Sequence, residues 1–195
     1  MKFSEIKSSL KNKTVGIAGC GGLGSNCAVS LARVGIGKLV IADFDVIEES
    51  NLNRQYFFFD QIGKYKAPTL KENLLRINPA VSVEDYVIKL TPKDIVELYK
   101  DCDVIVEAFD KAEMKEMIVE TVLSEFPQKQ IVCGVGLAGW GGNNLLRTEQ
   151  YRNLFIVGDR SNETSEDNPP LAPRVGAVSN MMANVVLEIL LGKDK

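Results

Sequence analysis

The chain has 195 residues, 45% of them apolar and 25% charged, which is enough for one sizeable core and an ordinary globular composition. Its formal net charge of −3 argues against a nucleic-acid partner, and the lack of any histidine excludes imidazole acid–base chemistry, His metal ligands and Ser-His or Cys-His nucleophiles. No apolar run reaches the roughly 20 residues that span a bilayer, and Met1 to Lys13 lacks the apolar stretch and cleavage site of a signal peptide, so the expected location is the cytoplasm.

In chain order, residues 3–11 read as a short amphipathic helix and Thr14 to Gly19 as a buried first strand. A glycine-rich turn leads into a helix from Leu23 to Val34, and Lys38 to Ala42 forms a second strand ending at Asp43. Residues 44–62 are irregular and hold the aromatic cluster Tyr56 to Phe59, which fits either core or a subunit interface. A helix from Tyr65 to Ile77 carries Pro68 in its first turn, where a missing N–H is harmless. Val81 to Ile88 is a strand, and Thr91-Pro92 opens a capped helix. Asp103 to Ala108 is a strand, Glu113 to Glu125 a helix and Gln130 to Val135 a strand. Gly134 to Gly142 is glycine-rich around Trp140, Ser161 to Pro173 is a polar loop, and Val175 to Leu191 is a final apolar helix. Strands alternating with helices imply an α/β fold with a mostly parallel, Rossmann-like sheet and flanking helices, all in one domain over residues 1–195.

Gly19-Cys-Gly21-Gly22-Leu23-Gly24 fits GxGxxG between a strand and a helix. Such glycines allow a tight turn and bring backbone N–H groups to a phosphate at the positive end of a helix. Asp43 stands where a carboxylate bonds ribose hydroxyls. These features alone would suit NAD. The residues that follow do not: Asp43-Phe-Asp45, then Asn51-Leu-Asn-Arg54-Gln55, then Gly63-Lys-Tyr-Lys66-Ala67, then Asp110. This ordered set over residues 19–110 resembles the ThiF/MoeB superfamily of ubiquitin-activating-enzyme-like proteins, and Ala172-Pro-Arg-Val-Gly176 resembles the start of its C-terminal helix.

The resemblance implies ATP-dependent adenylation of the C-terminal carboxylate of a small ubiquitin-fold carrier ending in Gly-Gly. It gives Arg54 and Lys66 the phosphates, Asp110 a Mg²⁺ ion, Asp43 the ribose, Asn51 the phosphates or metal, and Gly19, Gly21, Gly22 and Gly24 the nucleotide backbone contacts. Such a reaction needs no general base, because a carboxylate is already ionised at neutral pH. The plainer alternatives are a solvated Lys66, a surface salt bridge for Arg54 and a helix N-cap for Asp110.

The larger relatives carry two CxxC pairs for zinc. Cys20, Cys27, Cys102 and Cys133 form none, so no zinc is expected and the thiols read as buried apolar residues. No cysteine follows Cys133 to receive an activated carrier, and residues 1–13 hold lysines but no arginine to reach a neighbouring subunit's phosphates. These absences resemble the compact thiamine-associated subgroup, implying a ThiS-like sulfur carrier and a homodimer. Residues 134–174 would contact the carrier, with its tail crossing the glycines near Trp140, unless that tryptophan is core or dimer interface. An NAD-dependent oxidoreductase, a non-catalytic scaffold half and an enzyme acting on a modified tRNA base remain as alternatives.

Overall fold

The computed structural model describes residues 1–161 and 164–192. Helix α1 (Phe3–Leu10) leads into β1 (Thr14–Ala18), α2 (Gly22–Val34), β2 (Lys38–Ala42), α3 (Lys66–Ile77), β3 (Ser82–Tyr86), α4 (Pro92–Tyr99), β4 (Val104–Glu107), α5 (Ala112–Glu125) and β5 (Gln130–Val135). The chain then forms β6 (Arg147–Tyr151), β7 (Leu154–Gly158) and α6 (Ala172–Leu191). Short 3-10 turns at Glu49–Asn51 and Phe59–Gln61 give the irregular 44–62 stretch its only regular structure among the described residues.

The strands make one seven-stranded sheet in the order β3-β2-β1-β4-β5-β7-β6. Every pairing is parallel except that of β6 with β7. Strands β1, β2, β4 and β5 read as near-continuous apolar runs because helices cover both faces, as a parallel sheet requires, whereas the edge strand β3 is largely polar. On one face Val15, Ile17, Leu39, Ile41, Val104 and Val106 meet α2, α3 and α6; on the other Val40, Ile105 and Ile131 meet α4 and α5. Strand order reverses between β1 and β4, opening a crevice at the carboxyl ends of those two strands, where open α/β sheets bind ligands.

Predicted and observed elements agree to within a few residues. Thr91 caps α4 as expected, its hydroxyl accepting from the Asp94 N–H while the Asp94 carboxylate accepts from the Thr91 N–H. The four cysteines are free and buried. Helix α6 starts earlier than predicted, with Pro173 in its first turn, and is the one helix among the described residues long and apolar enough to cross a bilayer, at mean hydropathy 1.3. Its apolar residues Val175, Val178, Met182 and Val186 are instead buried against the sheet and α2, at about 1.5–3 kcal/mol for each fully buried side chain.

The β6–β7 hairpin has no counterpart among the predicted elements. Leu154 to Gly158 is a short apolar run bounded by turns, a sufficient strand signal on its own. Arg147 to Tyr151 is polar throughout, because β6 is an exposed edge strand whose residues need no apolar alternation.

Candidate active site

The glycine loop leaves β1 and enters α2, and its glycines do different jobs. Gly19 has φ +96°, and a Cβ there would stand 2.8 Å from the Ala108 carbonyl oxygen. A Cβ on Gly24 would stand 1.8 Å from the Gly19 carbonyl oxygen. Both positions therefore admit only glycine for reasons internal to the fold. A Cβ on Gly22 would meet Val175 at 2.9 Å and the Arg54 stem at 3.5 Å, whereas beside Gly21 there is open space up to the Gln55 amide at 3.8 Å. That opening faces the first turn of α2, whose N–H groups have no helical acceptor. Beside it, the Gln55 Oε1 is buried and has no hydrogen-bond partner among the described residues. A buried acceptor without a donor at a glycine loop fits a site completed by a ligand.

Asp43 closes the loop from β2. Its Oδ2 accepts from the Cys20 N–H at 2.6 Å and its Oδ1 from the Asp45 N–H at 2.8 Å. Burial raises its pKa above the usual 3.8, partly offset by those two N–H donors and the Lys66 charge. Lys66, at the first position of α3, is 6% exposed, and its ammonium sits 2.9 Å from Asp45. The solvated reading of Lys66 fails on this geometry.

Arg54 lies across Gly22. Its guanidinium donates to the Ser50 carbonyl at 3.1 Å and to Asn53 Oδ1 at 2.7 Å, both neutral acceptors in its own turn. No carboxylate pairs with it among the described residues, so a surface salt bridge does not explain it. Asp110 follows β4, across the crevice from Gly19. It is exposed, it has no partner among the described residues, and the N-cap of α5 is Lys111 rather than Asp110. The crevice thus gathers a loop of free N–H groups, an unpaired guanidinium, a buried ammonium and a free carboxylate. No group of three or more His, Cys, Asp or Glu side chains forms a metal centre among the described residues. Asp110 fits a Mg²⁺ ion whose other oxygens come from substrate phosphates and water.

Asn51 is buried, with Oδ1 accepting from the Glu48 N–H at 3.1 Å and Nδ2 donating to the Ser50 hydroxyl at 3.4 Å, so the amide closes its own turn.

Sequence reasoning missed two charged supports. Glu107, fully buried at the end of β4, accepts from the Phe109 N–H at 2.7 Å and from Lys115 at 2.9 and 3.0 Å, and Lys115 also donates to the Gly134 carbonyl at 3.0 Å. This pair ties the loop after β4 to Gly134 in β5. Arg174, buried in α6, donates to the carbonyls of Gly136 at 3.1 Å and Gly141 at 2.6 Å and pairs with buried Asp159 at 2.5 Å. A buried strand-end glutamate followed by a helical lysine was the available signal for the first pair.

The glycine segment departs from expectation in one respect. Gly139 does bring two backbones close, but its N–H donates to this chain's own Pro169 carbonyl at 2.9 Å. Gly141, with φ +71°, faces open space. Trp140 is 78% exposed, which removes the core reading. The aromatic cluster divides: Phe57 is buried, while Phe58 and Phe59 are exposed. Asn162 and Glu163 of the 161–173 loop lie outside the described residues.

The ThiF family model matches residues 3–195, and the chain belongs to that family. It is 30% identical over 200 residues to the adenylyltransferase and sulfurtransferase UBA4 of Scheffersomyces stipitis, covering 98% of this chain and 45% of that protein. It is 38% identical over 102 residues to the probable adenylyltransferase/sulfurtransferase MoeZ of Mycobacterium tuberculosis, covering 52% of this chain and 26% of the relative. The chain therefore spans less than half the length of these curated relatives. Among solved structures, E. coli tRNA N6-threonylcarbamoyladenosine dehydratase TcdA with ATP superposes at a TM-score of 0.87 and 17% identity, over 97% of this chain and 90% of that one. E. coli MccB with AMPCPP and MccA does so at 0.75 and 23%, over 97% and 59%. Both are likenesses of fold.

Proposed function

We propose that this member of the ThiF family uses ATP to adenylate the C-terminal carboxylate of a small ubiquitin-fold carrier protein. The observation that carries this reading is the Arg54 side chain, whose stem lies over Gly22 and whose guanidinium has no carboxylate partner among the described residues. A cation left unpaired beside free N–H groups is built to meet an anion. In the reaction a carboxylate oxygen bonds to the α-phosphorus, the bond from that phosphorus to the bridging oxygen breaks, and pyrophosphate leaves with the electron pair.

Each residue then has a role. Arg54 and Lys66 draw the anionic carboxylate and triphosphate together and stabilise the charge that builds on the leaving oxygen. Lys66 exchanges Asp45 for a phosphate oxygen as ATP enters. Asp43 accepts from the ribose on the lone pairs its two backbone N–H donors leave open. Asp110 holds Mg²⁺, which supplies charge neutralisation between the phosphates when bound. Gly19 and Gly24 keep the turn tight, and Gly21 and Gly22 face the nucleotide. Asn51 contributes by holding the turn that presents Arg54.

We assign the carrier contact to residues 134–174, with exposed Trp140 and open Gly141 at the tail, and read the whole chain as one adenylation domain working as a homodimer. The absence of CxxC pairs supports a ThiS-like carrier of thiamine thiazole synthesis as the substrate. ATP–pyrophosphate exchange, measured with ThiS-like and other Gly-Gly-ending carriers, tests the reading. Exchange that needs both carrier and Mg²⁺ and stops with EDTA is the expected result, and Trp140→Ala should raise the carrier concentration needed by about tenfold. ATP binding with no exchange for any carrier would assign a scaffold role. Exchange driven by tRNA instead would replace the carrier.

A further inference from the structure

Arg54 is useful only if its charge reaches the glycine loop, yet among the described residues its guanidinium bonds only to its own turn. What fixes that turn against the loop comes from α2. The Asn26 Nδ2 donates to the Gly22 carbonyl at 2.7 Å and to the Arg54 carbonyl at 2.9 Å, so one amide group spans the phosphate loop and the arginine. Both acceptors are carbonyls, so only the NH₂ end of the side chain fits there. Next to it, the Ser25 hydroxyl donates to the Gly21 carbonyl at 2.7 Å and accepts from the Tyr56 N–H at 3.0 Å. The first turn of α2 is stitched on both sides of Gln55 to the segment that lies over its own N-terminus.

We propose that Asn26 is a positioning residue, holding the Arg54 backbone against the glycine loop so that the guanidinium meets the phosphates of a bound nucleotide. This rests on the adenylation reading for the identity of the anion alone. Its test reads triphosphate affinity, which stands even if no carrier supports exchange.

The test uses the full chain and compares ATP with adenosine by titration calorimetry. Asn26→Leu removes both bonds and excludes water from the gap. Asn26→Ser keeps the bond to Gly22, as Ser25 bonds Gly21, but is too short to reach Arg54. Both variants should weaken ATP about tenfold and leave adenosine affinity unchanged, with Asn26→Leu lowering the unfolding midpoint more than Asn26→Ser. In an Arg54→Ala background neither should weaken ATP further, because the residue acts through the arginine. Unchanged ATP affinity in both variants overturns the proposal. So does an equal loss for adenosine, or a full tenfold loss that persists without Arg54.

Discussion

The centre of the sheet and its β6 edge treat charge in opposite ways. Around the crevice between β1 and β4, Arg54 has only neutral acceptors and Asp110 has no partner among the described residues. Around the β6–β7 hairpin, charges use one another up: Arg174 pairs with Asp159, and Arg147 and Arg160 share Glu149 at 2.7 and 2.9 Å. The lesson is that an unpaired charge on a rigid frame marks where a ligand completes the electrostatics, whereas a pair such as Arg174–Asp159, buried on both sides, specifies which segments meet. Lys66, buried but paired with the half-exposed Asp45, lies between the two cases.

The sharpest test of that contrast is Asp110→Asn. It should cut carrier-dependent exchange by about 10²–10³-fold with no change in the thermal midpoint, because the exposed side chain makes no hydrogen bond or ion pair among the described residues. A fall in the midpoint would show that Asp110 has a structural job. Arg174→Met should do the opposite. It removes the buried ion pair with Asp159 and the donors to two carbonyls, costing about 3 kcal/mol of stability in urea unfolding, with ATP affinity retained. If ATP affinity falls instead while stability holds, the two regions are not separable.

The smallest effect is a dependence on pH. Burial raises the Asp43 pKa above 3.8, so the folded chain holds this proton more tightly than the unfolded one. The group's stabilising contribution is complete below 3.8 and is lost as pH rises through its raised folded value. Asp43→Ala should therefore cost more stability in acid than at neutral pH, read by urea unfolding at each pH. A cost that grows toward neutrality would mean that the Cys20 and Asp45 N–H donors outweigh the desolvation.

The alternation of strands and helices, the Thr91 cap and the glycine turn were legible in the sequence, because each depends on residues a few positions apart. So was the set Asp43, Arg54, Lys66 and Asp110, which sits in short segments of recognisable order. The sequence alone could not tell Gly24, required by the Gly19 carbonyl, from Gly21, open to a ligand. Nor could it tell that the Asn51 amide closes its own turn while Arg54 has no carboxylate partner among the described residues. Tertiary structure decided those points, and with them the Arg174 clamp, the Glu107–Lys115 tie and the Asn26 bridge. Each joins segments distant in the chain, up to 38 residues for Arg174 and Gly136. Local periodicity reports which face of an element is buried, but partners at that range are set by strand order, and strand order brings Asp110 to Gly19.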